Sequence, residues 1–340
     1  MIPKPRFLLS RKKLLEQYSI ASEMADIVAY SFKTNPEVGK ELERLTDCMF
    51  AVHSQDYFEL INDKSRAIFF TQGLDAEDIE NLLKQGVRYY VVDNENDLKT
   101  LLASIRGYHI NLFLRLKLKE HTIHTGKHFV YGMSSEQVNR LIPELRKNKS
   151  IDKLGIHFHR KTMNIGEWNL VEEINDSLGN ILEHLDFINI GGGLPVKYKN
   201  YPTDNLPAII KNIKSLRSFL NKKNIRMIIE PGRFLAAPCI KLEAYITNIY
   251  DNNIIINCSV YNAAMDTFAA NTRLEVEGEK NEGESYTIKG CTPDSLDIFR
   301  YKVFLENPKI GDKITFLNAG AYNYATEFCN LKKIRTECID

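Results

Sequence analysis

Between residues 26 and 235 short apolar runs alternate with helical patterns, and each run is apolar on consecutive positions. The runs fall at 26–33, 48–54, 67–72, 89–94, 110–118, 153–159, 187–192 and 226–230. A strand covered by protein on both faces has this texture, whereas a strand with one wet face alternates. Eight strand–helix units in succession predict an α/β fold, a (β/α)8 barrel near the short end of its usual length of about 250 residues. A doubly wound sheet is the competing arrangement, but it needs no eighth strand and usually carries a glycine-rich turn after its first. The helices between the runs are punctuated. Val38, Leu42 and Leu45 repeat at helical spacing after Pro36, Asp75 caps a helix ending near Gly86, and Ser134 with Gln137 makes a capping box.

After residue 235 the texture changes. Segments 239–250, 253–261, 273–278, 285–290, 297–305 and 312–322 are short and often alternating, separated by turn-forming pieces such as Asp251-Asn-Asn. They predict an antiparallel β domain over 236–340, which Arg6–Ser10 joins as an extra strand, so that residues 1–10 belong with it and 11–235 form the barrel. The net charge of +1 gives no footprint for nucleic acid or an acidic membrane. Six scattered cysteines without a CxxC pair point to a reduced cytoplasmic protein that binds no metal. The N-terminus has no signal-like apolar stretch, and no run is long enough to span a bilayer.

Barrel strands deliver their chemistry at their C-terminal tips. Lys33 ends the first run and is followed at once by Thr34-Asn35-Pro36. Taken alone, such a lysine is most simply a solvated one. Three further strand-end motifs accompany it: Gly155-Ile-His157-Phe-His159, Gly191-Gly192-Gly193, and Glu230-Pro-Gly232-Arg233. Glycines after strand seven let an anion approach the backbone, and Arg233 after strand eight adds a charged donor; loops at those places usually hold phosphate in such barrels. A tight turn explains three glycines equally well until Arg233 is added. A carboxylate at Glu230 facing a heteroaromatic nitrogen keeps it protonated, because opposite charges favour both ionised forms. Lysine, histidine, glutamate and phosphate cradle together describe a site for pyridoxal 5′-phosphate.

Read together, these motifs resemble the fold-type III pyridoxal-phosphate decarboxylases, which include the ornithine, diaminopimelate and carboxynorspermidine decarboxylases and share the alanine racemase barrel. Tyr30-Ser-Phe-Lys33-Thr-Asn-Pro is similar to the family's lysine strand, and Gly155-Ile-His-Phe-His159 to the strand whose last histidine stacks on the cofactor ring. The resemblance implies that Thr162 contacts the phosphate, that Arg115 stands beside the ring and that Tyr322, in Gly320-Ala-Tyr322, reaches the cofactor. Gly290-Cys-Thr-Pro-Asp294 resembles the segment in which an aspartate meets the substrate's distal amine. That segment's cysteine, credited with returning a proton to Cα, aligns with Pro293, and Cys291 lies two residues away.

The activity implied is decarboxylation of an amino acid or an aminocarboxypropyl group, the latter a tailoring step in antibiotic biosynthesis, in a homodimer whose subunits share their sites. Racemisation is the rival reaction. Racemases of this fold, however, set an arginine rather than a carboxylate against the ring nitrogen. A catalytically inactive regulatory binder is the rival of another class, favoured by Pro293 and opposed by Lys33. His157 is open between a packed second-layer residue and a catalytic one, and Asp266 is a further candidate substrate contact.

Overall fold

The first strand, β1 (Arg6–Ser10), precedes a helix, Arg11–Met24, after which strand and helix alternate. The computed structural model describes residues 2–118, 131–166 and 168–340. Eight strands follow β1: β2 (Ile27–Ser31), β3 (Met49–Val52), β4 (Ala67–Thr71), β5 (Tyr89–Val92), β6 (Ile110–Arg115), β7 (Ile151–His157), β8 (Phe187–Asn189) and β9 (Arg226–Ile229). Each pairs in parallel with the next, and β9 pairs with β2, closing the barrel. Its interior is filled by Ala29, Ile68, Val91, Phe113, Phe187 and Ile228, contributed by six different strands. Phe113 and Phe187 stack with ring centroids 5.7 Å apart. Gly155 makes that stack possible: a Cβ there would lie 2.6 Å from Phe113 Cδ1.

The helices start where the sequence signals them. Asn35 Oδ1 accepts from Glu37 N at 3.0 Å with Pro36 in the first turn, and Val38 and Leu42 are buried on the core face. Reciprocal capping boxes at Asp75/Asp78 and Ser134/Gln137 open the helices Ala76–Lys84 and Ser135–Leu145. Each cap satisfies N–H groups that the first turn cannot, an effect of about 1 kcal/mol. Among the described residues no helix is long and apolar enough to cross a membrane.

The rest of the chain forms a sheet from β1, β10 (Ile240–Tyr250), β11 (Asn253–Ile256), β12 (Glu275–Val276), β13 (Lys280–Lys289), β14 (Ile298–Phe304), β15 (Lys313–Leu317) and β16 (Arg335–Ile339). The path runs β12-β15-β10-β11-β13-β14, with β1 on β10 and β16 on β1. It is mixed: β11 pairs in parallel with β13 and β1 with β16, while the other pairings are antiparallel. Two expected strands are shorter than their apolar runs, ending at Ile256 and Leu317, because Ser259 caps a short helix, Val260–Ala263, and Asn318 turns left-handed.

Two compact units result. One comprises Ser19–Leu194 and Asn205–Gly232 and contains the barrel; the other comprises Met1–Tyr18, Pro195–Asp204 and Arg233–Asp340 and contains the sheet. Residues 11–18, 195–204 and 233–235, assigned from sequence to the barrel, group with the sheet.

Candidate active site

Residues at the C-terminal ends of the barrel strands converge on one mouth, as the fold dictates. Lys33 does not end β2 itself; it sits two residues on, in a tight turn over Phe32–Thr34. Phe32 anchors that turn: it is buried, meets Phe50 edge-on at 5.7 Å, and occupies the space a side chain on Gly39 would need. Tyr30 Oη donates to Asn35 O at 3.0 Å and ties the turn down from the other side. The side chain is held by this packing and remains partly open to solvent. Partial desolvation of the amine lowers the Lys33 pKa below the ordinary lysine value; Glu230 opposes this and Arg115 adds to it.

Glu230 follows β9 directly and is 2% exposed. Its Oε1 accepts from Asn189 Nδ2 at 2.7 Å, and Oε2 lies 3.3 Å from His157 Nε2, itself fully enclosed. Burial alone would raise this carboxyl; its contact with His157, with His159 and His53 behind, holds it below the usual carboxylate range. Burial conversely drives His157 neutral, lowering its pKa; His53 and His159 are lowered in the same direction by desolvation at the mouth, although part of each remains exposed and weakens the effect. The mouth thus contains one anionic carboxylate clamped by two N–H donors and walled by uncharged imidazoles. His157 is packed and also touches the carboxylate directly.

His53, at the tip of β3, is the residue that sequence reading passed over. It stacks on Phe70 at 4.5 Å, and Phe70 meets His157 edge-on at 4.9 Å. Its signal was a polar residue closing an apolar run, the same signal that marked Lys33. Asp93, just after β5, was passed over too; its Oδ1 accepts from Arg115 Nη1 at 2.9 Å. Arg115 also lies 5.0 Å over the Tyr131 ring.

The glycine loop after β8 approaches its neighbours too closely for side chains. Gly191 has φ 63°, and a Cβ there would lie 2.5 Å from Phe158 O; one on Gly192 would lie 2.6 Å from Glu230 O. The N–H groups of Gly191 and Gly192 donate to Asn189 Oδ1 at 2.9 Å and His159 Nδ1 at 3.1 Å, so the loop is braced by the very residues around Glu230. A side chain on Gly232 would overlap Thr34 beside Lys33. Thr162 lies in the turn after β7, which Asn164 N ties to Gly193 O at 3.0 Å.

Other expected site residues lie in the sheet unit. Arg233 departs from expectation: its guanidinium is buried and engaged, not offered to a phosphate. Nη2 donates to Asp266 Oδ1 at 3.0 Å and Nη1 to Asp266 Oδ2 and to Tyr198 Oη, the latter at 2.9 Å. Asp266 is corrected with it, since both its oxygens are held by Arg233 and one also accepts from Thr272 Oγ1 at 3.0 Å. Burial opposes the guanidinium's charge, but the Asp266 and Tyr198 contacts outweigh it and raise the Arg233 pKa above its ordinary value. Tyr322, in left-handed backbone with φ 52°, places its ring 5.1 Å from the Arg233 guanidinium. Cys291 is exposed; partial burial and then Asp297 push its thiol pKa up. Asp294 Oδ1 accepts from Leu296 N at 2.7 Å and Tyr261 Oη at 3.2 Å. The organiser of this loop is the buried Asp297, which accepts from Val260 N, Thr292 N and Thr292 Oγ1.

Comparison with known proteins bears on this geometry. A model of the pyridoxal binding domain of pyridoxal-dependent decarboxylases matches residues 27–237. The diaminopimelate decarboxylase of Helicobacter pylori is 24% identical over 87% of this chain and 79% of its own. A probable chloroplastic diaminopimelate decarboxylase of Oryza sativa subsp. japonica is 23% identical over 94% and 71%. Among solved structures, a Vibrio vulnificus lysine/ornithine decarboxylase complexed with cadaverine superposes with a TM-score of 0.82 at 22% identity, covering 99% of this chain and 94% of that one. The Helicobacter pylori enzyme complexed with L-lysine gives 0.83 at 19% identity, with 99% and 92% covered. The barrel-plus-sheet fold is thus theirs.

Proposed function

The chain belongs to the pyridoxal-dependent decarboxylase family, and we propose that it removes the α-carboxylate of an amino-acid substrate with Lys33 carrying the cofactor. The residues present fit pyridoxal phosphate. A pyridine nitrogen calls for a buried anion, and Glu230 is one, clamped by Asn189 and His157. A phosphate calls for a cradle free of side chains, and neither Gly191 nor Gly192 has room for a Cβ. An aldehyde calls for an amine that sheds its proton more readily than an ordinary lysine, which Lys33 does.

Bound there, the cofactor supplies an aldehyde for the substrate's amine and a conjugated ring that takes up the electron pair left as CO2 departs. Glu230 keeps a proton on the ring nitrogen, which strengthens that sink. His159 would offer its imidazole face to the ring, and Arg115, held by Asp93, would be available at the ring's side. Gly191, Gly192, Gly193, Thr162, Gly232 and Tyr322 are assigned to the phosphate. Arg233 is reassigned to positioning, through the two tyrosines and Asp266 that it engages. Cys291 is assigned the return of a proton to Cα; its raised pKa keeps that proton on the thiol near neutral pH. Asp294 faces the substrate's distal end. One of its oxygens is engaged by Tyr261 and Leu296, and the candidate substrates include an aminocarboxypropyl group in a natural-product tailoring step as well as a diamino acid.

The observation that carries the reading is the ionised, doubly clamped Glu230 in the same barrel mouth as an exposed lysine of lowered pKa. Cofactor-loaded protein treated with borohydride should retain the cofactor covalently at Lys33, found by peptide mapping, and Lys33→Ala should lose both the trapped label and CO2 release. Label at another lysine overturns the assignment. CO2 release measured across amino-acid and aminocarboxypropyl substrates identifies the substrate class.

A further inference from the structure

In the sheet unit, the segments leading into the first and last strands border an open cavity of about 900 Å³ whose lining includes Lys4, Arg6, Lys332, Lys333 and Arg335 against a single carboxylate, Glu337. The whole chain carries a net charge of only +1, so this concentration of positive charge is local. The walls are built rather than draped. Asn257 Nδ2 donates to Pro3 O at 2.7 Å and Asn262 Nδ2 to Lys332 O at 2.9 Å, pinning the segments that bear Lys4 and the two adjacent lysines. Ile334 is buried between those lysines and Arg335 and anchors that wall from behind.

Parallel pairing of β1 with β16 sets Arg6 directly opposite Arg335. Like charges facing each other across a strand pair are destabilising. Glu337 offsets this pair, taking Arg6 Nη1 at 2.8 Å and Arg335 Nη2, while Glu243 takes Arg6 Nε at 2.9 Å. Both arginines are thereby fixed. No carboxylate among the described residues pairs with Lys4, Lys332 or Lys333, which leaves three exposed ammonium groups around one concavity. A cleft lined by one sign of charge concentrates counter-ions beyond what a flat surface does, and its volume is that of a small-molecule site.

We propose that this cavity is a binding site for a small, multiply charged anion of the polyphosphate or polycarboxylate class. Tripolyphosphate is the probe. Titrated calorimetrically into cofactor-loaded protein, it should bind with an affinity that falls as salt rises, since exposed charges are screened within about 8 Å at physiological ionic strength. The double substitution Lys332→Gln/Lys333→Gln should weaken binding about tenfold with the cofactor's absorbance unchanged, and Lys4→Gln alone should weaken it less. The proposal is overturned if millimolar probe gives no binding heat, or if the double variant binds as tightly as the parent. It is also overturned if sedimentation shows a second copy of the chain closing the cavity, with binding that disappears as the protein self-associates.

Discussion

Glu230 has both oxygens committed to donors and keeps its charge although it is buried. Glu230→Gln preserves shape and removes the charge, so the cofactor should still bind while kcat/KM falls about 10²-fold or more, a loss of about 3 kcal/mol in transition-state stabilisation. Unchanged turnover would give the carboxylate a purely structural place. The neighbouring His157 has a linkage to pH of the same sign as Glu230, in a higher window. Folded, the enclosed His157 has its pKa lowered, whereas unfolded it takes a proton at about 6.5. Below that value the unfolded chain binds more protons, so stability should fall as pH drops below about 6.5. Melting of the cofactor-free protein between pH 7 and 5 should show this slope, and His157→Gln should make it shallower even if its melting temperature is lower throughout. Lys33, His159 and Glu230 were legible because a polar residue closing an apolar run is itself a signal. Arg233 was legible as a residue but not in its role: Asp266, 33 positions on, is brought to it by tertiary folding, which no local pattern encodes.

Between elements, the tips of β8 and β9 are held together by Glu230 N donating to Gly191 O at 2.7 Å. Gly192→Ala would thrust a methyl to 2.6 Å from Glu230 O, so the two tips must part. Overpacking of this kind costs about 1–3 kcal/mol, and here it falls on the junction of cradle and carboxylate. Cofactor affinity, measured by fluorescence titration, should drop at least tenfold, while Gly166→Ala, whose Cβ meets open space, should leave it unchanged. Equal affinities in the two variants would remove the loop from the cofactor site. The barrel strands were readable because burial on both faces leaves an unbroken apolar run. β16 was not: Arg335-Thr-Glu-Cys-Ile is only partly buried and carries charges that serve ion pairs with β1, so neither an apolar run nor a clean alternation marks it. The mixed character of the sheet was hidden for a related reason, since the parallel pairing of β1 with β16 joins the two ends of the chain.

At the scale of the whole molecule, the proposed residues fall in two units: Lys33, His159 and Glu230 in the barrel, Cys291 and Asp294 in the sheet. The family resemblance implies a dimer in which one subunit's Asp294 segment serves the other's lysine. A two-fold arrangement would make two equivalent sites, each needing one residue from either chain. The test follows from that logic. Lys33→Ala and Asp294→Ala homodimers should each be inactive, but after subunit exchange every mixed dimer holds one site with both residues intact. Random assortment then restores about a quarter of the sites, and CO2 release should recover to that extent. The engagement of Asp294 by Tyr261 makes a control necessary, because alanine there also frees the tyrosine hydroxyl. Tyr261→Phe, which removes only that contact, should remain active if Asp294 acts on the substrate. Confirmed exchange without recovery would mean that each chain builds its own site, with Lys33 and Asp294 supplied by the same subunit.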